Sequence, residues 1–389
     1  MSVLDVEVVD QFVKAAIDDP AGARAIFRAL PELVDGGLWA SLVLGDAAAV
    51  EQIVSAEPGL AVAKGGPEEV EPLVYVCFSR LRLGDMPETA KVLLRHGASP
   101  DTSCFADGHP DTPLSCLYAA TGRSNNPALA RVLLEAGANP NDGESLYHAA
   151  EHPDFKCVRL LLEFGAKIEG ANVLKHVLDR EDAAAVRLLL DAGADPNELN
   201  GQGETALHWA VRRQRSPAIL RMLAAAGVDL DATAGDGRTA YAMAVLRGDS
   251  KAKETLAELG ASTELSPLER LVAGQPVELA SVTWGAADER LIADLADTHS
   301  TAAVRRLLDA GLPVDGRGQA GATALHWACW RGFADLAELL VARGASLDAV
   351  DAEFGGIPAG WMEHGRENCP ERAWGDYEGV AAVLGVGAE

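Results

Sequence analysis

The sequence predicts an all-α solenoid, a row of stacked helix–turn–helix units, and three observations predict it. A phrase closing on glycine recurs eight times along the 389 residues. A second phrase, seen most fully as Gly-x-Thr-Ala-Leu-His-Trp-Ala, opens a helix ahead of several of these closings. Two short antiparallel helices and a turn cannot bury their apolar faces alone, so neighbouring units must stack into one continuous core. With degenerate units included, about twelve repeats would cover the chain.

The closing phrase reads LLRHGASPD (93–101), LLEAGANPN (133–141), LLEFGAKIE (161–169), LLDAGADPN (189–197), LAAAGVDLD (223–231), LAELGASTE (256–264), LLDAGLPVD (307–315) and LLVARGASLD (339–348). Its glycines lie at 97, 137, 165, 193, 227, 260, 311 and 344, giving intervals of 40, 28, 28, 34, 33, 51 and 33. Each phrase spells a helix end: apolar residues on one face, then glycine where a left-handed conformation is needed, then a polar or proline-containing turn. Val186, Leu189 and Leu190 illustrate the apolar stripe, at i, i+3 and i+4.

The opening phrase is strongest as GETALHWAV (203–211) and GATALHWAC (321–329), looser as DTPLSCLYA (111–119) and DGRTAYAMA (236–244), and faint as GESLYHAA (143–150). Threonine ahead of an apolar run is a good N-cap, because its hydroxyl accepts an otherwise unpaired backbone N–H. Leu207, Ala210 and Val211 then share one face, and Leu325, Ala328 and Cys329 repeat it.

These phrases divide the chain. Residues 1–85 read as degenerate helical repeats or a cap, and 86–264 as regular repeats. Residues 265–318 read as an irregular, shortened pair carrying Pro267, Pro276 and Trp284, and 319–389 as C-terminal repeats with an inserted loop at 366–375 and a cap. The segment from Gly355 to Tyr377 aligns with the repeat before it, Gly355 on Gly321 and Trp361 on Trp327. Its spacing from Trp361 to Val380 is nineteen residues, against nine from Trp327 to Leu336, which locates the insertion. His364, Cys369 and Trp374 fall in or beside it.

Gly-x-Thr-Ala-Leu-His-Trp-Ala, followed by a second helix and Gly-Ala-Asp-Pro-Asn, resembles the ankyrin repeat, whose pattern has Thr-Pro-Leu-His-x-Ala at the same place. The resemblance is strong over 203–235 and 321–350, good over 87–200 and 237–264, and weak elsewhere. It implies that His208 and His326 bond turn backbone and their repeat's own threonine rather than act as bases. It also implies that the first helices line a concave surface that grips partners.

On that surface the resemblance would place Trp209, Arg212 and Arg213, and, at the same offset, Trp327, Trp330 and Arg331. Equivalent positions are His148, His176, Met243, Trp361 and His364. Tryptophan and arginine are enriched at binding hot spots because each combines large contact area with directed donors. The expected partner-binding residues are therefore Trp209, Arg212, Arg213, Met243, Trp327, Trp330, Arg331 and Trp361. The alternative is that the tryptophans pack on neighbouring repeats and the arginines pair with acidic surface.

No catalytic phrase emerges: there is no G-x-S-x-G, no phosphate-binding G-x-x-x-x-G-K-[ST], no H-E-x-x-H and no G-x-G-x-x-G between strand and helix. The acidic turns at Asp229, Asp231 and Asp236 lack the ligand ladder of a calcium loop. Six cysteines, at 77, 104, 116, 157, 329 and 369, form no C-x-x-C and are expected to be reduced and mostly buried. No catalytic residue, metal or cofactor is expected.

A formal charge of −25 and a pI near 4.7 argue against nucleic acid, whose binding requires lysine and arginine on phosphates. The N-terminus MSVLDVEVVDQFVK lacks a basic region followed by an apolar core, and no run of about 18 apolar residues occurs, so a soluble, cytoplasmic chain without membrane contact is expected. The leading reading is a non-catalytic scaffold binding another protein through its groove and turn tips, with no small-molecule substrate. Two others stand beside it: an acidic protein that sequesters a basic nucleic-acid-binding partner, and an enzyme or metal site at 265–300 or in the C-terminal insert.

Overall fold

The computed structural model describes residues 5–106, 109–170, 172–285 and 288–386. The chain is built almost wholly of short helices and falls into two compact units, Met1–Asp195 and Pro196–Glu389.

The first unit holds six helix pairs: α1 (Val6–Asp18) with α2 (Pro20–Ala29), α3 (Gly37–Leu44) with α4 (Ala47–Ala56), α5 (Pro72–Phe78) with α6 (Met86–Arg95), α7 (Cys116–Tyr118, prolonged by a wide turn to Arg123) with α8 (Pro127–Glu135), α9 (Ser145–Ala149) with α10 (Lys156–Glu163), and α11 (Val173–Val177) with α12 (Ala183–Asp191). All the second helices of this unit except α10 start on acceptor side chains. Asp46 takes the N–H of Ala49 at 3.0 Å, Asn126 that of Leu129 at 3.1 Å, and Asp182 that of Ala185 at 3.0 Å. The unit also carries an antiparallel hairpin, β1 (Ser103–Ala106) and β2 (His109–Ser115), with Ser103 opposite Ser115 and Cys104 opposite Leu114. Ser115 ends the hairpin and caps the following turn, accepting from the N–H of Tyr118 at 2.8 Å.

The second unit opens with α13 (Ala206–Arg212) and α14 (Pro217–Ala225), then α15 (Ala240–Leu246) and α16 (Ser250–Glu258). Next comes α17 (Pro267–Val272); among the described residues between it and α18 there is no α-helix, and a single turn runs over Leu279–Ser281. Helices α18 (Leu291–Asp297) and α19 (Thr301–Asp309), α20 (Ala324–Arg331) and α21 (Ala334–Ala342), and α22 (Pro358–Asn368) and α23 (Tyr377–Leu384) complete the row. Ser266 and Glu269 cap α17 reciprocally, Ser266 N to Glu269 Oε2 at 2.8 Å and Glu269 N to Ser266 Oγ at 3.3 Å. At its other end Arg306 of α19 donates to the carbonyls of Leu271 and Val272 at 2.8 and 2.6 Å. A cavity of about 640 Å³ lies beside the end of α17, lined in part by Ser250, Lys253, Ala273 and Ala302.

The closing phrases act as their spelling predicts. All eight glycines have positive φ, between +84° and +96°. Beyond them, a side chain at the end of one phrase brackets the next: Asn197 Oδ1 accepts the N–H of Asp229 at 2.7 Å, and Asp231 Oδ1 that of Ser262 at 2.7 Å. In the first unit Asp101 does the same for Asn139, and Asn141 for Lys167, each at 2.7 Å. Every such bond satisfies a turn N–H while fixing the offset between consecutive repeats.

The core follows the predicted stripes. Leu207, Ala210 and Val211 are fully buried, as are Leu325, Ala328 and Cys329. Val186 and Leu189 are buried too, with Leu190 half-buried. Removing a leucine side chain of this kind from water contributes about 2 kcal/mol.

Candidate partner-binding site

The two strong repeats share a local device. In α13, Thr205 Oγ1 lies 2.8 Å from His208 Nδ1, and in α20 Thr323 Oγ1 lies 2.9 Å from His326 Nδ1. The other ring nitrogen of each histidine reaches a backbone carbonyl of the next repeat, Arg238 O and Gly356 O, both at 3.1 Å. Both rings are buried, and that burial pushes their pKa below the ordinary 6.5. They are thus neutral struts between turns.

The expected contact residues fall into two sets. Trp209 and Arg212 lie on α13, and Arg213 caps its end. The Arg213 guanidinium lies over the Trp209 ring at 4.7 Å, and Arg212 is ion-paired with the buried carboxylate of Glu204, its Nε 3.1 Å from Oε1. Met243, expected on the same face, is instead buried within α15.

The second set converges. Trp327 and Trp330 of α20 and Trp361 of α22 are all half-buried, and they meet Phe354, which is 71% exposed on the preceding turn. Trp327, Trp330 and Phe354 stand at 79°, 78° and 62° to Trp361, with centroids 5.3, 6.4 and 6.2 Å from it. His364 lies 5.4 Å from Trp330. These rings line an open pocket of about 600 Å³. Gly365 makes the convergence possible, because a Cβ there would stand 2.3 Å from the Trp330 carbonyl oxygen and force α22 away from α20.

Asp351 holds the pocket in shape. Its carboxylate accepts the indole N–H of Trp361 at 3.0 Å and the backbone N–H groups of Glu353, Phe354 and Gly356 at 2.9, 2.6 and 2.7 Å. Burial would raise its pKa, but these bonds win and hold it at about 2. Arg331, expected beside the tryptophans, is tied down: Nε lies 2.9 Å from Asp297 Oδ1 and Nη1 2.5 Å from Glu371 Oε2.

The C-terminal cluster that carries His364 and Cys369 packs on the repeat before it. Helix α22 runs on to Asn368, Cys369 is fully buried, Tyr377 donates its hydroxyl to the Trp330 carbonyl at 2.8 Å, and Asp376 N meets Gly332 O at 2.8 Å. Trp374 stands 90% exposed on the loop between. Among the described residues no group of three or more His, Cys, Asp or Glu is placed to hold a metal ion, and no helix is long and apolar enough to cross a membrane. All six cysteines are free, and burial pushes Cys157 and Cys329 up to about 12, far from a reactive thiolate.

Sequence spacing pointed to the three tryptophans but missed Phe354 and Asp351, which sit in an irregular turn where no helical period applies. The only available signal was their nearness to Trp361 in sequence.

Family models for ankyrin repeats match residues 173–266, as three copies, and 320–352, as a single repeat. Among solved structures, the ankyrin repeat domain of Bcl-3, described as a unique member of the IkappaB protein family, is 25% identical over 63% of this chain and 92% of that one, with a TM-score of 0.25. No curated protein sequence matches the chain. Ankyrin repeats are in general protein–protein interaction modules. Residues 173–266 and 320–352, which hold capped helix pairs and both threonine–histidine struts, are thus ankyrin repeats.

Proposed function

We propose that the chain is a non-catalytic scaffold that binds another protein through the aromatic face made by Trp327, Trp330, Phe354 and Trp361. The observation that carries this reading is the convergence of three indoles from two successive first helices on one open pocket, with the phenyl ring of Phe354 offered to solvent beside them. Large aromatic surface left accessible beside a rigid helical frame is what binding hot spots use, since little conformational freedom is lost on contact. Trp209 with Arg213 on α13 offers a second, smaller contact point. The arginines Arg212 and Arg331 serve mainly to brace the frame, because each is committed to carboxylates of its own chain.

The test is capture of partners from the native cell by full-length protein, against a Trp327→Ala/Trp330→Ala variant whose helical circular dichroism matches wild type. Partners retained by wild type and lost from the variant are expected. Equal recovery of the same partners by both proteins would overturn the reading.

A further inference from the structure

The pocket between α20 and α22 has a chemistry of its own. Its lining side chains are Trp327, Trp330, Phe354, Trp361 and His364, with Gly356 and Gly360 completing the wall. None carries a carboxylate or hydroxyl. The one carboxylate beneath them, Asp351, already accepts four N–H groups. A primary ammonium brings three N–H donors and a guanidinium five, and these side chains would offer them no anionic acceptor.

What the pocket offers is ring faces. Three rings meet Trp361 at steep angles, so they wall a common space instead of stacking on one another. The Trp361 N–H bond to an ionised carboxylate orients that indole and enriches its π-face. Aromatic faces attract a cation through their quadrupole, indole most strongly, and a cation without N–H donors gives up little hydration to enter.

The surroundings favour positive charge. Residues 346–386 carry eight carboxylates and two arginines, and no lysine. Glu353 and Glu363, chain neighbours of two lining residues, are exposed. One arginine of the segment, Arg366, is paired with Glu378 at 3.2 Å. An apolar aromatic box in an acidic stretch of chain favours a bulky, weakly hydrated cation over a neutral group.

We propose that this pocket receives the trimethylated ammonium of a lysine side chain on the partner protein. The proposal rests on the protein-binding reading above and names the chemistry that the partner presents. At about 600 Å³ the open pocket has room for the ammonium head and for part of the chain that carries it.

The experiment titrates full-length protein with a five-residue glycine peptide carrying one trimethyllysine, following the indole N–H signals by NMR. Three further probes run alongside: the same peptide with unmodified lysine, the same peptide with a neutral tert-butyl group replacing the trimethylammonium, and choline. The trimethyllysine peptide should bind at least about fivefold more tightly than the lysine and tert-butyl peptides, which is the scale of a cation–π contact in an open pocket, and more tightly than choline, which lacks the chain that carries the head. It should also shift the Trp327, Trp330 and Trp361 signals. Phe354→Ala, at an exposed turn position that leaves the core intact, should weaken it, and Trp330→Ala more so.

Equal affinity for the tert-butyl peptide would overturn the cation and leave a plain apolar pocket. Equal affinity for choline would overturn the protein side chain as its source. No binding by any probe would overturn the proposal outright. Because the probes carry no partner surface, each of these results leaves partner capture, and hence the scaffold reading, to be decided by its own experiment.

Discussion

His208 Nε2 lies 3.1 Å from the carbonyl oxygen of Arg238, thirty residues further along, while its Nδ1 faces Thr205 Oγ1 at 2.8 Å. His326 repeats the relationship between Thr323 and Gly356. Both links require the neutral ring with its proton on Nε2, since Nδ1 accepts from the threonine backbone N–H.

A pH dependence follows. Burial lowers both histidine pKa values in the folded chain below the 6.5 of an unfolded one. Between the two values the unfolded chain binds the proton and the folded chain does not, so stability rises with pH there. The contribution is whole above 6.5 and is lost as the pH falls through the lower, folded value. Thermal unfolding should therefore show a falling midpoint from pH 7.5 towards pH 5. In a His208→Gln/His326→Gln variant, which keeps a donor without a titrating ring, part of that fall should disappear. An unchanged slope in the variant would refute the assignment.

The closing glycines give a second measurement. Gly227 has φ +85° and nothing within 4 Å of the place a Cβ would occupy, so any loss from Gly227→Ala is backbone conformation and not a clash. The cost should be about 1–2 kcal/mol by chemical denaturation. Asn, which tolerates left-handed geometry, should cost less than Ala, and Val should cost more. Equal losses for all three would point to an effect other than φ.

Ion pairs in the second unit should differ in worth. Arg331 is about a fifth exposed and holds Asp297 by two nitrogens, at 2.9 and 2.8 Å, whereas Arg221 meets Glu258 at 2.7 Å with both side chains half or more exposed. Screening reduces the exposed pair to about 0.5 kcal/mol or less. A double-mutant cycle should give a coupling for Arg331 and Asp297 at least about twice that for Arg221 and Glu258. Raising the salt to 1 M should erode the second coupling more than the first.

The repeat frame was readable because two chemical demands recur at fixed spacing. A helix end needs glycine at positive φ, and a helix start needs an acceptor for free N–H groups. The second-helix caps were equally legible and passed over: Asn126, Asp182 and Asp249 each stand eleven residues before a closing glycine. The hairpin at 103–115 was not. Its residues were read as turn and as the entry to a first helix, and only the interval of 40 between Gly97 and Gly137 hinted at extra chain.

At the candidate site, the offset of Trp327 and Trp330 was written in helical periodicity. Phe354 and Asp351 were not, because a turn's geometry is set by its hydrogen bonds and not by a period. Met243 shows the limit of the offset itself, since the same register position is half-buried at Trp209 and Trp327 and buried at Met243. Which it becomes depends on the side chains of the neighbouring repeats.

The stretch that follows α17 bears on how the second unit comes apart. In a stack where each repeat touches only its neighbours, cooperativity passes from one to the next through both helix rows. Between α17 and α18 the described residues form no α-helix, and Arg306 grips the carbonyls that end α17. Unfolding of the second unit by denaturant is therefore expected to divide between α16 and α19, with the repeats on either side melting as separate blocks.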